Sequence, residues 1–193
     1  MKLALVQLNY HIGNFEENKK KITDQIKQAK ERGVDLVVFS ELAICGYPPL
    51  DLLNRQEFVE ASVEAIEGIA EYCNGIAAVI GGPSLNPHSQ GKQLYNSAWF
   101  LADGKVKEVI HKTLLPNYDI FDEYRYFQPN EDFKVINFKG ARIAITICED
   151  LWDDQPVEAD FARNKLYTLS PMQKLAALKP DFMINIAASP FSY

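Results

Sequence analysis

Three short apolar runs, residues 3–9, 35–39 and 76–80, alternate with two stretches whose apolar residues recur at helical steps. A run that is apolar at successive positions has to be covered on both faces, and helical spacing supplies the covering face. This opening therefore predicts strand–helix–strand–helix–strand. In the first helical stretch Asn14 and Glu17 have capping-box spacing; Phe15, Ile22, Ile26 and Ala29 form the apolar stripe, and Gly33 ends it. Asn54 and Glu57 repeat the capping spacing ahead of Val59, Val63, Ile66, Ala70 and Cys73, and Asn74-Gly75 stops that helix. Gly81-Gly82-Pro83 is expected to release the third strand.

Farther on, residues 94–102 and 105–112 flank Asp103-Gly104, and 133–138 and 141–147 flank Lys139-Gly140. Such two-residue links predict hairpins. The segment 113–132 between them reads as a long loop rich in aromatic and charged residues. Ser170-Pro171-Met172-Gln173 reads as a helix start with Ser as N-cap and Pro at N1, and 181–187 as a last strand. The order fits an α/β fold with helices over mixed sheets better than a strictly parallel one. A single domain over 1–193 is expected, without repeats or linkers.

Composition narrows the function. Lys plus Arg total 20 against 26 Asp plus Glu, a formal charge of −6, and Lys19-Lys20-Lys21 is the solvated face of a helix, so no nucleic-acid partner is expected. No apolar run is long enough to span a membrane. Cys45, Cys73 and Cys148 form neither a disulfide framework nor a zinc motif, which suits a reducing cytoplasm.

Cys148 directly follows the apolar run 141–147, where a nucleophile sits on a rigid base at a strand end. A buried cysteine packed as a small hydrophobe is an equally ordinary reading. Glu41 ends the second strand in Val37-Val38-Phe39-Ser40-Glu41 and suits a general base; Lys112 ends the 105–112 run and suits an oxyanion-stabilising cation. Taken singly, each reads more simply as a strand-end charge. Together they place nucleophile, base and cation at three strand ends, a coherent acyl-transfer set. His111 adjoins Lys112 on a strand and should face away from it. His11 and His88 lie in loops without a visible partner. Asp150, Asp153 and Asp154 form an acidic cluster that could hold a cation but more often is a solvated loop; Cys73 reads as core, and Cys45 has no assigned role. No metal site is expected.

Phe39-Ser40-Glu41, the segment His111 to Pro116 and Ile147-Cys148-Glu149-Asp150 resemble, in order and spacing, the nitrilase superfamily of carbon–nitrogen hydrolases. That resemblance implies an α-β-β-α sandwich and a Glu41–Lys112–Cys148 triad. The stretches Glu41 to Leu53, Leu115 to Phe127 and Cys148 to Trp152 are similar to the glutaminase domains of glutamine-dependent NAD synthetases. This narrower likeness implies that Cys148 attacks the glutamine carboxamide, Glu41 takes the thiol proton and later activates water, and Lys112 stabilises the tetrahedral species. It also implies that Tyr118, Phe121, Glu149 and Ser189 hold the amino-acid end of glutamine, with Glu149 on the ammonium, and that Glu123 orients Lys112.

The same resemblance implies a partner synthetase domain, fused or separate, in a homo-oligomer. It implies no cofactor for amide hydrolysis. ATP and Mg belong to the synthetase reaction, and the S-G-G-x-D-S loop of that domain is missing from this sequence. The family's sheet continues beyond a strand like 181–187, so the chain is expected to be incomplete at its C-terminal end and to expose a sheet edge. Competing readings are a stand-alone nitrilase-type amidase on another small amide, which the Pro48-Pro49 segment disfavours, and a non-catalytic assembly module.

Overall fold

The computed structural model describes residues 1–153 and 167–189. Of the acidic run, Asp154 falls outside these residues. Strands β1 (Leu3–Leu5), β2 (Leu36–Val38), β3 (Ala77–Leu85), β4 (Leu94–Ala102) and β5 (Lys105–His111) form one sheet in that order. β1, β2 and β3 are parallel; β4 and β5 are antiparallel additions. β6 (Ile136–Phe138), β7 (Ala141–Ile147) and β8 (Phe182–Ile186) form a second sheet.

Helices α1 (Phe15–Glu31) and α2 (Gln56–Ala70) cover one face of the first sheet, burying Ile22, Ile26, Ile66 and Ile69 against Val37, Ala78, Ile80 and Leu101. The other face packs on the second sheet: Leu36, Val38, Val79, Ala98 and Phe100 meet Ile143, Ile145, Ile147, Ile184 and Ile186. The layers are thus helices, sheet and sheet. α3 (Pro171–Ala177) connects parallel β7 and β8 and packs on the turn that follows β7.

Local signals act where the sequence places them in several elements. The Asn14 side chain accepts from Glu17 N at 3.2 Å, and Ser170 Oγ from Gln173 N at 3.1 Å with Pro171 at N1. Asp103 and Gly104, and Lys139 and Gly140, all take positive φ, as primed two-residue turns require. Asn54 behaves differently: it ends a short 3-10 turn, Leu50–Asn54, and α2 starts from Arg55 with no side-chain cap. The first apolar run is ordered as a strand only to Leu5.

Gly81-Gly82-Pro83 does not release β3, which continues to Leu85 paired with β4. Beyond Val79 no strand of the described residues lies on the β2 side, so the missing Pro83 N–H breaks no ladder there. The glycines mark close packing instead. A Cβ on Gly81 would fall within 3.0 Å of backbone atoms of Ser40, Glu41 and Leu42, and one on Gly82 would strike Ile66 and Ile44. β1 is a sheet edge, with Leu5 81% exposed.

Candidate active site

Glu41 sits in a tight turn after β2. Leu42 takes φ 48°, Gly81 N donates to Ser40 O at 3.2 Å, and Ile44 N to Gly81 O at 3.2 Å. Asn18 of α1 secures the same loop by donating to Ile44 O at 3.0 Å. The side chain of Glu41 is fully buried.

Lys112 is the first residue after β5, its N–H continuing the ladder to Asn96 O at 2.8 Å. Its Nζ reaches Glu41 Oε1 at 2.7 Å and both Glu123 oxygens at 2.9 and 2.8 Å. Burial disfavours this ammonium, but Glu41 and Glu123 more than compensate and hold it protonated well above the usual lysine range. Glu123 lies in a 3-10 turn, Glu123–Arg125, and also accepts from Tyr47 OH at 3.1 Å. Burial pushes its carboxyl up to about 7, against the pull of Lys112.

Cys148 opens the turn after β7 at φ 47°, a left-handed conformation costing a non-glycine residue on the order of 1–3 kcal/mol. Asn185 Nδ2 contacts its carbonyl at 3.3 Å. Burial pushes the thiol up to about 12, the nearby Glu41 carboxylate adding to the effect and Lys112 opposing it. A thiol kept protonated becomes a good nucleophile only when a base takes its proton. Glu41, Lys112 and Cys148 therefore meet in one buried cluster.

Asp150 is not a solvated loop residue. It is 2% exposed, and its carboxylate accepts from Thr113 N at 3.0 Å, Leu114 N at 2.8 Å and Ile147 N at 3.0 Å. It staples the segment after Lys112 to the Cys148 turn. Burial pushes it up to about 6, opposed by those N–H groups. Among the described residues no three His, Cys, Asp or Glu side chains group to hold a metal.

The expected substrate-end residues are partly assembled. Glu149 is buried and accepts from Tyr118 OH at 2.9 Å; Phe121 lies edge-on to Tyr118 at 5.7 Å between ring centres. Ser189 is exposed and joins none of these hydrogen bonds, but the N–H of adjacent Ala188 donates to Glu41 Oε2 at 3.0 Å. His111 faces away from Lys112, bonded to Ser97 Oγ at 2.8 Å and stacked on Tyr95.

The carbon–nitrogen hydrolase family pattern matches residues 2–157. The chain belongs to the carbon–nitrogen hydrolases. A glutamine-dependent NAD(+) synthetase of Synechocystis sp. is 40% identical over 195 residues, covering 98% of this chain and 34% of that protein. One from Thermotoga maritima is 36% identical over 158 residues, covering 82% and 27%. Among solved structures, a glutamine-dependent NAD+ synthetase from Acinetobacter baumannii in complex with ADP aligns with a TM-score of 0.83 at 32% identity, over 98% of this chain and 32% of that one. An amidase from Nesterenkonia sp. AN1 shares the fold, with a TM-score of 0.75 at 21% identity over 97% and 64%. The chain spans about a third of the length of the synthetases it matches.

Three residues of this carbon–nitrogen hydrolase site escaped the reading of its sequence. Asn96 carries no signal inside a strand. Asp150 hides in an acidic run. Tyr167, whose OH donates to Glu149 Oε1 at 2.9 Å, is remote from every motif.

Proposed function

We propose that this chain hydrolyses the side-chain amide of glutamine through a Cys148 thioester, as the ammonia-supplying part of a glutamine-dependent NAD synthetase. The carrying observation is the buried cluster in which Lys112 bridges Glu41 and Glu123, with the buried Cys148 thiol close enough to feel the charges of all three. Glu41 takes the thiol proton as sulfur attacks the amide carbon. The oxyanion forms against the Lys112 ammonium, where a fixed charge in a dry site acts strongly. Glu41 returns its proton to the leaving nitrogen, ammonia departs, and a thioester remains. Glu41 then takes a proton from water, the thioester breaks, and glutamate leaves as Cys148 regains its proton.

Glu149 supports an amino-acid substrate. Its buried carboxylate is held by two phenol O–H groups and no cation among the described residues, which suits an incoming ammonium. Tyr118 and Phe121 offer the adjoining wall, and Ser189 lies beside the Ala188 N–H at the far side of Glu41. The likeness to synthetases supports a synthetase domain as the recipient of ammonia, within a homo-oligomer. That domain's reaction is where ATP and Mg would act. No helix of the described residues is long and apolar enough to cross a membrane, and the free cysteines Cys45, Cys73 and Cys148 fit a reducing cytoplasm.

The test is ammonia release from glutamine and from a panel of other small amides. Glutamine should be preferred, Cys148→Ala should abolish release, and a glutamine-derived chloroketone should label Cys148. Preference for another amide would replace the substrate, and release unaffected by Cys148→Ala would overturn the mechanism.

A further inference from the structure

Two carboxylates, Glu41 and Glu123, share the single Lys112 ammonium. With all three ionised, the buried group carries excess negative charge, and neighbouring like charges resist ionising together. Asn96 lies between them. Its Nδ2 is 2.8 Å from Glu41 Oε1 and 3.3 Å from Glu123 Oε2, one N–H for each carboxylate. The side chain is fully buried, and its Oδ1 has no hydrogen-bond partner among the described residues. Turning the amide over would aim Oδ1 at two carboxylates, so charge fixes the donor end where it is. A buried amide with an unsatisfied acceptor is a poor structural element. It does provide two neutral donors at one point between two anions.

The other donors facing this pair each reach only one carboxylate, Lys112 excepted. Tyr47 OH donates to Glu123 and the Ala188 N–H to Glu41, while the Cys148 thiol feels both carboxylates through space. Asp150 acts on Lys112 through space. Asn96 also accepts the Lys112 N–H through its own carbonyl, tying strand and side chain to the same residue.

We propose that Asn96 is a positioning residue that holds Glu41 and Glu123 together in their hydrogen-bonded arrangement around Lys112, so that Glu41 is placed to act as base towards the Cys148 thiol. This rests on Glu41 serving as the base, and not on which amide is hydrolysed.

The test follows two rates against pH in the wild type, Asn96→Ala and the nearly isosteric Asn96→Asp: alkylation of Cys148 by iodoacetamide, and ammonia release from glutamine. With the thiol pushed up to about 12, alkylation near neutrality depends on a carboxylate taking the proton. Both variants should slow alkylation at pH 7 by about tenfold or more and move the acid-side fall of the profile up by about one pH unit. The shift should be larger for Asn96→Asp, which adds a third acid. kcat should fall with KM unchanged. In a Glu123→Gln background the effect of Asn96→Ala should shrink, because one of the two anions is gone. Profiles of both variants that superimpose on the wild type would overturn the role. A wild type that alkylates readily but releases no ammonia from glutamine would sink the substrate reading instead, while the alkylation profiles still decide the case of Asn96.

Discussion

Lys112 and His111 are neighbours in the chain, yet they belong to two polar clusters of opposite character. Strand alternation sends them to opposite faces. Lys112 joins Glu41, Glu123 and Asn96 on the side of the sheet that meets Cys148. His111 joins Ser97, Ser84 and Tyr95 on the other side. The first cluster is charged and fully desolvated. The second is neutral, because burial pushes the imidazole down to about 4, and it keeps some contact with solvent. The difference teaches that burying polar groups does not itself mark a site. What marks this one is a lysine and two carboxylates held out of water beside a buried thiol.

The strongest way to break the comparison is to remove one member from each side. Lys112→Met strands two buried carboxylates without their cation; it should abolish amide hydrolysis and cost about 3–5 kcal/mol of stability. His111→Phe keeps the stack on Tyr95 and loses the bond to Ser97. It should cost about 1 kcal/mol and leave hydrolysis unchanged. Denaturant titration with an ammonia assay reads both, and equal losses of activity would erase the distinction.

Next in size is Glu149→Gln. The variant removes the charge proposed to receive the substrate ammonium but leaves Glu41 and Lys112 in place. KM for glutamine should rise about tenfold or more with a smaller change in kcat. A fall in kcat at constant KM would move Glu149 from binding to organisation of the Cys148 turn.

The smallest effects sharpen the comparison through pH. Glu123 holds its proton more tightly folded than unfolded, at about 7 against 4.5. Its contribution to stability is full below 4.5 and is lost as pH rises through 7. Glu123→Gln should therefore gain on the wild type as pH rises over that window. His111 is shifted the other way, to about 4 from 6.5. Its contribution is present above 6.5 and lost as pH falls towards 4, so His111→Phe should gain as pH falls. Urea midpoints at pH 4.5 and 7 for the three proteins give both slopes, and slopes of the same sign would contradict the assignment of opposite character.

Much of the fold was legible because its signals are local. Asp103-Gly104 and Lys139-Gly140 need only their own backbone angles, and Ser170 needs only the next turn. The three residues were legible as a set because each lies within three residues of a strand end, and strand ends can be counted. Gly81 and Gly82 were misread as a stop because a glycine that breaks a strand and one that admits a neighbouring backbone look alike in sequence. Asn54 had the right spacing for a cap, but the 3-10 turn before it claims its backbone. Asn96 and Asp150 act on partners 27 to 55 and 36 to 37 residues away, besides the nearby Ile147 N–H, and no window of sequence displays such pairs.

The contact of Gly81 with the Glu41 turn makes residue 81 a place where inheritance and engineering meet the same obstacle. The atoms that a methyl group would strike are backbone, with no rotamer to turn aside. A Gly81→Ala allele would thus present as a defect in the base while leaving every reactive group intact. A library aimed at new amides would find this position closed, however far it lies from the substrate. Under the proposed function, variation would enter from the Tyr118 and Phe121 side, where side chains rather than main chain can give way.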